Sequence, residues 1–104
     1  MPVIDLSPQT VAEALQAGDI LLIDVREPYE FEAERIKGAI SLPLSAIDPA
    51  AVPVADGKTI VLSCAGGVRS ARAAEYLQAA GLDVQRHLAG GLHAWKLAGL
   101  PTER

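Results

Sequence analysis

The amino-acid sequence predicts an α/β fold, with a central parallel sheet of about five strands and helices on both faces. Three observations carry this expectation. Short apolar, β-branched runs alternate with helical patterns along the whole chain. Two of these runs, Ile20–Val25 and Thr59–Ser63, are continuous rather than alternating, as in strands covered on both sides. Glycines at 18, 81 and 99 stand where helices should end, so each helix is short enough to connect neighbouring strands. Such alternation favours parallel strands joined by right-handed crossovers.

Taken in order, Pro2–Leu6 is an apolar stretch suited to an edge strand. Ser7-Pro8 then supplies an N-cap and a first-turn proline for a helix over 8–17, with Val11, Ala14 and Leu15 on its apolar face. Ile20–Val25 is the expected central strand. A loop and short helix carry Tyr29 and Phe31, and extended structure resumes at Ala39–Leu44, limited by Pro43. Ser45–Ala51 suits one or two helical turns, closed by Pro53 and the Asp56-Gly57 turn. Thr59–Ser63 is the second buried strand, followed by an alanine-rich helix over 69–80. Val84–Leu88 makes another strand, and a last helix ends near Gly99 and Pro101.

At 104 residues the chain is expected to form one domain, residues 1–104, burying about two thirds of its unfolded surface. Half of its residues are hydrophobic and 21% are charged, an ordinary globular balance. Ala, Leu, Ile and Val supply most of the apolar mass, which makes Trp95 one of few large anchors. The formal net charge of -4 provides no overall field for nucleic acid or an anionic membrane, although nine Lys and Arg residues leave room for a local positive pocket. One cysteine allows no internal disulfide, and neither a basic leader nor about 18 consecutive apolar residues occur. A cytoplasmic protein is expected.

Cys64 falls where the Thr59–Ser63 strand should end and a helix begin, which is where ligands collect in α/β sheets. The small residues Ala65, Gly66 and Gly67 let the backbone curl and aim several N–H groups at one point, beside the positive end of a helix. A thiol so placed is shifted toward thiolate and becomes a nucleophile. Arg69 and Arg72 oppose the dipole of their own helix, and an anionic ligand or a thiolate would account for them. A lone cysteine after an apolar strand also serves as a small buried hydrophobe. The coincidence of these features within nine positions favours chemistry.

The segment Cys64-Ala65-Gly66-Gly67-Val68-Arg69-Ser70 resembles the active-site loop of rhodanese-like sulfurtransferases, Cys-x-x-Gly-x-Arg-Ser/Thr. Two further segments support the resemblance. Asp24-Val25-Arg26-Glu27-Pro28, with Gly38-Ala39-Ile40 and Pro43, is similar to the family's amino-terminal signature, and Ala89-Gly90-Gly91-Leu92-His93-Ala94-Trp95 to its closing one. Glu34-Arg35-Ile36-Lys37 departs from the Gly-His-Ile-Pro common in the family. The resemblance implies a rhodanese-like fold and a Cys64 persulfide that carries sulfur from a small donor such as thiosulfate to cyanide, a thiol or a protein acceptor. It requires no metal or organic cofactor.

Within that expectation Cys64 is the catalytic residue, and the backbone of Ala65, Gly66, Gly67, Val68, Arg69 and Ser70 cradles the sulfur. Arg69 either steers the donor or bonds the loop carbonyls, and Ser70 caps the helix or touches the sulfur. Asp24 and Arg26 are supporting residues, read first as a structural ion pair. His87 and His93 lack metal-ligand spacing and are expected at the surface or the core edge. Two competing readings remain. A cysteine phosphatase or arsenate reductase of the same family has five residues between cysteine and arginine, against the four here, Ala65–Val68. A noncatalytic partner-binding module would not need the intact cysteine.

Overall fold

The computed structural model describes residues 3–53 and 56–104. Strands and helices alternate as β1 (Ile4–Leu6), α1 (Pro8–Ala17), β2 (Ile20–Asp24), α2 (Pro28–Ala33), β3 (Ile40–Ser41), β4 (Thr59–Ser63), α3 (Val68–Ala79), β5 (Arg86–Leu88) and α4 (Gly91–Leu97). Two single 3-10 turns, Leu44–Ala46 and Pro49–Ala51, cross between β3 and β4. All five strands run parallel in the order β1-β5-β4-β2-β3. Pro2, expected in the first strand, lies outside the described residues.

The two longest strands lie side by side because their sequences are apolar on both faces. Along β2, Ile20 and Leu22 join Val11, Val61, Leu88 and Trp95 in one core, while Ile23 and the following Val25 join Leu62, Ala73, Ala74 and Leu77 in the other. Successive side chains of a strand point to opposite faces. Continuous apolar runs therefore feed two cores at once, which is why helices must cover both sides.

The edges are shorter than the sequence suggests. β3 contains only Ile40 and Ser41, because Pro43 lacks an N–H to donate and the chain turns into the first 3-10 segment. β5 begins at Arg86 rather than Val84, whose carbonyl accepts a hydrogen bond from the Gln78 side chain at 3.0 Å instead. The first helix matches its expected bounds. Ser7 Oγ accepts the Thr10 N–H at 3.2 Å, and Gly18 ends the helix with φ 76°.

Leu22 is fully buried at the centre of the sheet, on the face away from Cys64. Leu22→Ala should lower unfolding stability by about 2–5 kcal/mol in urea titrations. A loss below about 0.5 kcal/mol would contradict the two-core packing.

Candidate active site

The pairing of β2 with β4 sets the position of Cys64. Asp24 lies opposite Ser63, and the Val25 N–H donates to the Ser63 carbonyl at 2.8 Å, so the last bond of the ladder lies one residue before the cysteine. From there the chain turns sharply into α3. Its curl brings the Gly67 N–H to 3.0 Å and the Ser70 N–H to 3.3 Å from Cys64 Sγ, with Ser70 Oγ at 3.4 Å.

Cys64 is 1% exposed and packs among Ile23, Val25, Leu62 and Ala73, so the sulfur belongs to the core and to the loop at once. Burial is the largest influence on the thiol and pushes its pKa up. The Ser70 hydroxyl and the N–H groups of Ser70, Gly67 and Gly66 act the other way, and together they hold it below the ordinary thiol value. The loop backbone thus replaces the water that the anion loses.

The first turn of α4 fixes this loop. The Leu92 N–H donates to the Cys64 carbonyl at 2.8 Å and the His93 N–H to the Ala65 carbonyl at 3.0 Å. Gly91, at φ 60°, lets the two segments touch, since a β-carbon there would collide with the carbonyl groups of Cys64 and Ala65. The sequence signal was present in Gly90-Gly91, but its purpose needs the fold, because 26 positions of chain separate Gly91 from Ala65.

Arg69 pairs with a carboxylate rather than with the loop carbonyls. Its guanidinium forms a fork on Glu30 of α2, with Nη1 to Oε1 at 2.7 Å and Nη2 to Oε2 at 3.0 Å. Glu30 Oε1 also accepts the Glu27 N–H at 3.0 Å, closing the capping box of α2. The hydrogen bond from Arg69 is the main reason that the Glu30 carboxyl is lowered to about 2, and Glu30 in turn raises Arg69. A two-pronged carboxylate satisfies the planar fork and turns it away from the loop carbonyls. Arg72 is simply exposed on α3. The two arginines therefore do not by themselves point to a bound anion.

Of the two roles read for Ser70, the structure has the contact with the sulfur and not the cap. Gly67 is the N-cap of α3, and the Ser70 hydroxyl instead lies 3.3 Å from the Gly67 carbonyl, within reach of the sulfur and 2.8 Å from His87 Nδ1. Asp24 and Arg26 form the structural ion pair read from the sequence. Arg26 Nε lies 3.1 and 3.0 Å from the two Asp24 oxygens, and Nη2 lies 2.8 Å from Oδ2 and 2.6 Å from the Glu34 carbonyl. Both residues are 4% exposed. Their bonds brace the connection after β2 and none reaches Cys64.

His87 is buried at the edge of the core and His93 is exposed. His93 lines an open depression of about 400 Å³ with Ala65, Leu92, Lys96 and Leu97, next to the loop. Sequence reasoning missed Glu30, whose partner lies 39 positions away, and Asp5, whose partner His87 lies 82 positions away. Neither spacing leaves a local signal.

With this geometry in hand, the chain can be placed among known proteins. The sequence profile of the rhodanese-like domain matches residues 7–98. The chain belongs to the rhodanese-like domain family. It is 48% identical over 99 residues to an uncharacterized protein of Synechocystis sp., covering 95% of this chain and 55% of that protein. It therefore spans about half the length of that relative. It is 35% identical over 83 residues to a sulfurtransferase of Allochromatium vinosum, covering 80% and 78% of the two chains. Among solved structures, a rhodanese-related protein from Thermoplasma volcanium superposes with a TM-score of 0.80 at 28% identity, covering 99% of this chain and 98% of that one. A Rhodopseudomonas palustris protein of unknown function, described as a possible tyrosine phosphatase, superposes with a TM-score of 0.81 at 30% identity, covering 97% and 85%. Among the described residues, no helix is long and apolar enough to cross a membrane.

Two outcomes test this arrangement. Gly91→Ala should cost at least about 2 kcal/mol, from left-handed strain plus the collision, and should change the rate of Cys64 alkylation in folded protein. An unaltered alkylation rate would separate the α4 contact from the loop. Glu30 has a depressed carboxyl, so its contribution to stability is complete above the ordinary value of 4.5 and is lost as pH falls toward about 2. Native protein should lose more stability over that interval than Glu30→Gln, by a modest amount because the pair is partly solvated. Parallel acid titrations of the two would contradict the ion pair.

Proposed function

We propose that this domain is a sulfurtransferase that carries sulfane sulfur as a persulfide on Cys64. The observation that supports it most is the pair of backbone N–H groups, from Gly67 and Ser70, that meet at one buried sulfur. A thiol held only for packing needs no such donors. The Cys64 thiolate attacks the outer sulfur of thiosulfate or a similar donor. The donor's S–S bond breaks, its electron pair leaves with sulfite, and the outer sulfur remains on Cys64. An acceptor such as cyanide, a thiol or a protein thiolate then attacks that sulfur and releases the Cys64 thiolate. This is covalent catalysis in two displacements, with no metal or organic cofactor in the scheme.

The backbone cradle serves both steps, since the anion is on Cys64 Sγ before sulfur is taken up and again after it is passed on, and the donors are already in place. The side chains at 65–67 are no larger than methyl, which keeps the wall over the sulfur thin. The name of the Allochromatium vinosum relative agrees with the reading. A reducing cytoplasm would keep the single thiol available between turnovers.

The description of the Rhodopseudomonas palustris structure favours a second reading, phosphate ester hydrolysis. Two features weigh against it. A tetrahedral oxyanion calls for a free guanidinium fork, and the Arg69 fork is taken up by Glu30. The four-residue span Ala65–Val68 also gives a smaller ring of N–H groups than five residues would.

Intact-mass spectrometry after incubation with thiosulfate decides between the readings. Native protein should gain one sulfur atom, lose it on addition of cyanide, and show no gain as Cys64→Ser. Absence of an adduct together with hydrolysis of an aryl phosphate would replace the sulfurtransferase reading with the phosphatase one.

A further inference from the structure

His87 is the one buried residue of the site whose ring nitrogens both have close partners and for which the scheme above has no use. It sits on β5 directly opposite Asp5 of β1, in register. His87 Nε2 lies 2.6 Å from Asp5 Oδ1, and His87 Nδ1 lies 2.8 Å from Ser70 Oγ. Ser70 Oγ lies 3.4 Å from Cys64 Sγ. Four side chains from β1, β5, α3 and the loop thus form one continuous line of hydrogen bonds, from a solvated carboxylate to a buried sulfur.

The Asp5 carboxylate fixes one end of this line, and the neutral imidazole sets the direction of the rest. A carboxylate only accepts, so Nε2 carries a proton, and in the neutral form of the ring Nδ1 is left as an acceptor. The Ser70 hydroxyl then donates to Nδ1, and its oxygen is free to accept from the Cys64 thiol. Every donor in this arrangement points away from the sulfur. The direction suits removal of a proton from Cys64.

We propose that Ser70, His87 and Asp5 form a relay that withdraws the Cys64 proton. The thiol proton passes to Ser70 Oγ as the serine's own proton passes to His87 Nδ1, and the S–H electron pair stays on sulfur. The serine hydroxyl is restored but reversed. Imidazolium Nδ1–H now donates to Ser70 Oγ, the hydroxyl donates to the thiolate, and Asp5 faces the new positive charge. Nothing is oxidised or reduced, and the net change is a thiol and an imidazole becoming an ion pair bridged by one hydroxyl.

The charged groups facing the line are few. Asp5 on β1 meets the imidazole, and Arg69 on α3 feels the charge of Cys64 while its fork is held by Glu30 of α2. His93 of α4 donates its backbone N–H to Ala65 at the other side of the loop. The backbone donors from Gly67 and Ser70 stabilise the thiolate once formed, while the relay supplies a destination for its proton. Ser70 touches the reacting atom; His87 and Asp5 act through it as positioning residues.

This inference rests on the persulfide reading, and the experiment keeps the two apart. The rate of Cys64 alkylation by iodoacetamide is followed against pH for native protein, Ser70→Ala, Ser70→Thr, His87→Asn, Asp5→Asn and the double variant Ser70→Ala/His87→Asn. Asparagine keeps a hydrogen-bonding atom near the place of Nδ1 but takes up no proton, so it preserves a structural role and removes the relay. His87→Asn and Ser70→Ala should each move the midpoint of reactivity up by about one pH unit, an approximately tenfold slower reaction below the midpoint. The double variant should be no slower than Ser70→Ala alone, because both break the same line. Ser70→Thr should stay close to native. Asp5 is largely exposed, so Asp5→Asn folds without difficulty and should give a smaller shift in the same direction. An unmoved midpoint in folded His87→Asn, or additive losses in the double variant, would overturn the relay; if His87→Asn fails to fold, an unmoved midpoint in Asp5→Asn would do so. Intact-mass assays with thiosulfate at high pH, where the thiolate forms without help, separate the readings. Sulfur uptake by every variant keeps the persulfide reading even if the relay falls. Failure of native protein to take up sulfur removes that reading, while the alkylation midpoints still decide the relay.

Discussion

An ionised sulfur removed from water must be solvated by something else, and the hydrogen bonds from the Gly67 and Ser70 backbones to Cys64 Sγ meet that need. Desolvation is the largest influence on this thiol and acts against ionisation. Several modest bonds from a fixed backbone outweigh it because their geometry is set by the fold and need not reorganise when the charge appears. Much of the surrounding structure maintains that geometry. The β2–β4 ladder delivers the cysteine, the first turn of α4 holds the carbonyls of Cys64 and Ala65, and the Arg69–Glu30 fork ties the start of α3 to α2.

The consequence is a thiol shifted toward its anion that is also a core residue. Cys64 shares the packing of Ile23, Val25, Leu62 and Leu77, so the choice between buried hydrophobe and reactive thiol does not arise at the level of burial. It arises at the level of hydrogen bonds. Placing the sulfur inside strengthens each N–H contact. The Ser70–His87–Asp5 line leads from this buried sulfur to an exposed carboxylate.

The order of strands and helices was legible because β2 and β4 are apolar without alternation and α1 carries its own cap and stop signals, Ser7-Pro8 and Gly18. The loop from Cys64 to Ser70 was legible for the same reason, since its glycines, cysteine and helix start lie within seven positions. Arg69 was misread because its partner, Glu30, enters from another helix, and no local pattern distinguishes an arginine meant for a carboxylate from one meant for a ligand. Asp5 and His87 become neighbours only when β1 pairs with β5, a contact between the two ends of the chain. Residues that act within one turn could be read from their spacing; those that act across the sheet could not.

The central claim is that backbone donors hold the Cys64 thiol below its ordinary value despite burial. Nuclear magnetic resonance titration tests it most directly, following the Cys64 β-carbon together with the amide protons of Gly67 and Ser70 as pH rises. The account predicts that all three signals move in one transition, below the ordinary thiol value of 9.0, with both amide protons shifting downfield as the anion forms. A transition at or above that value, or amide protons that do not respond to it, would contradict the account.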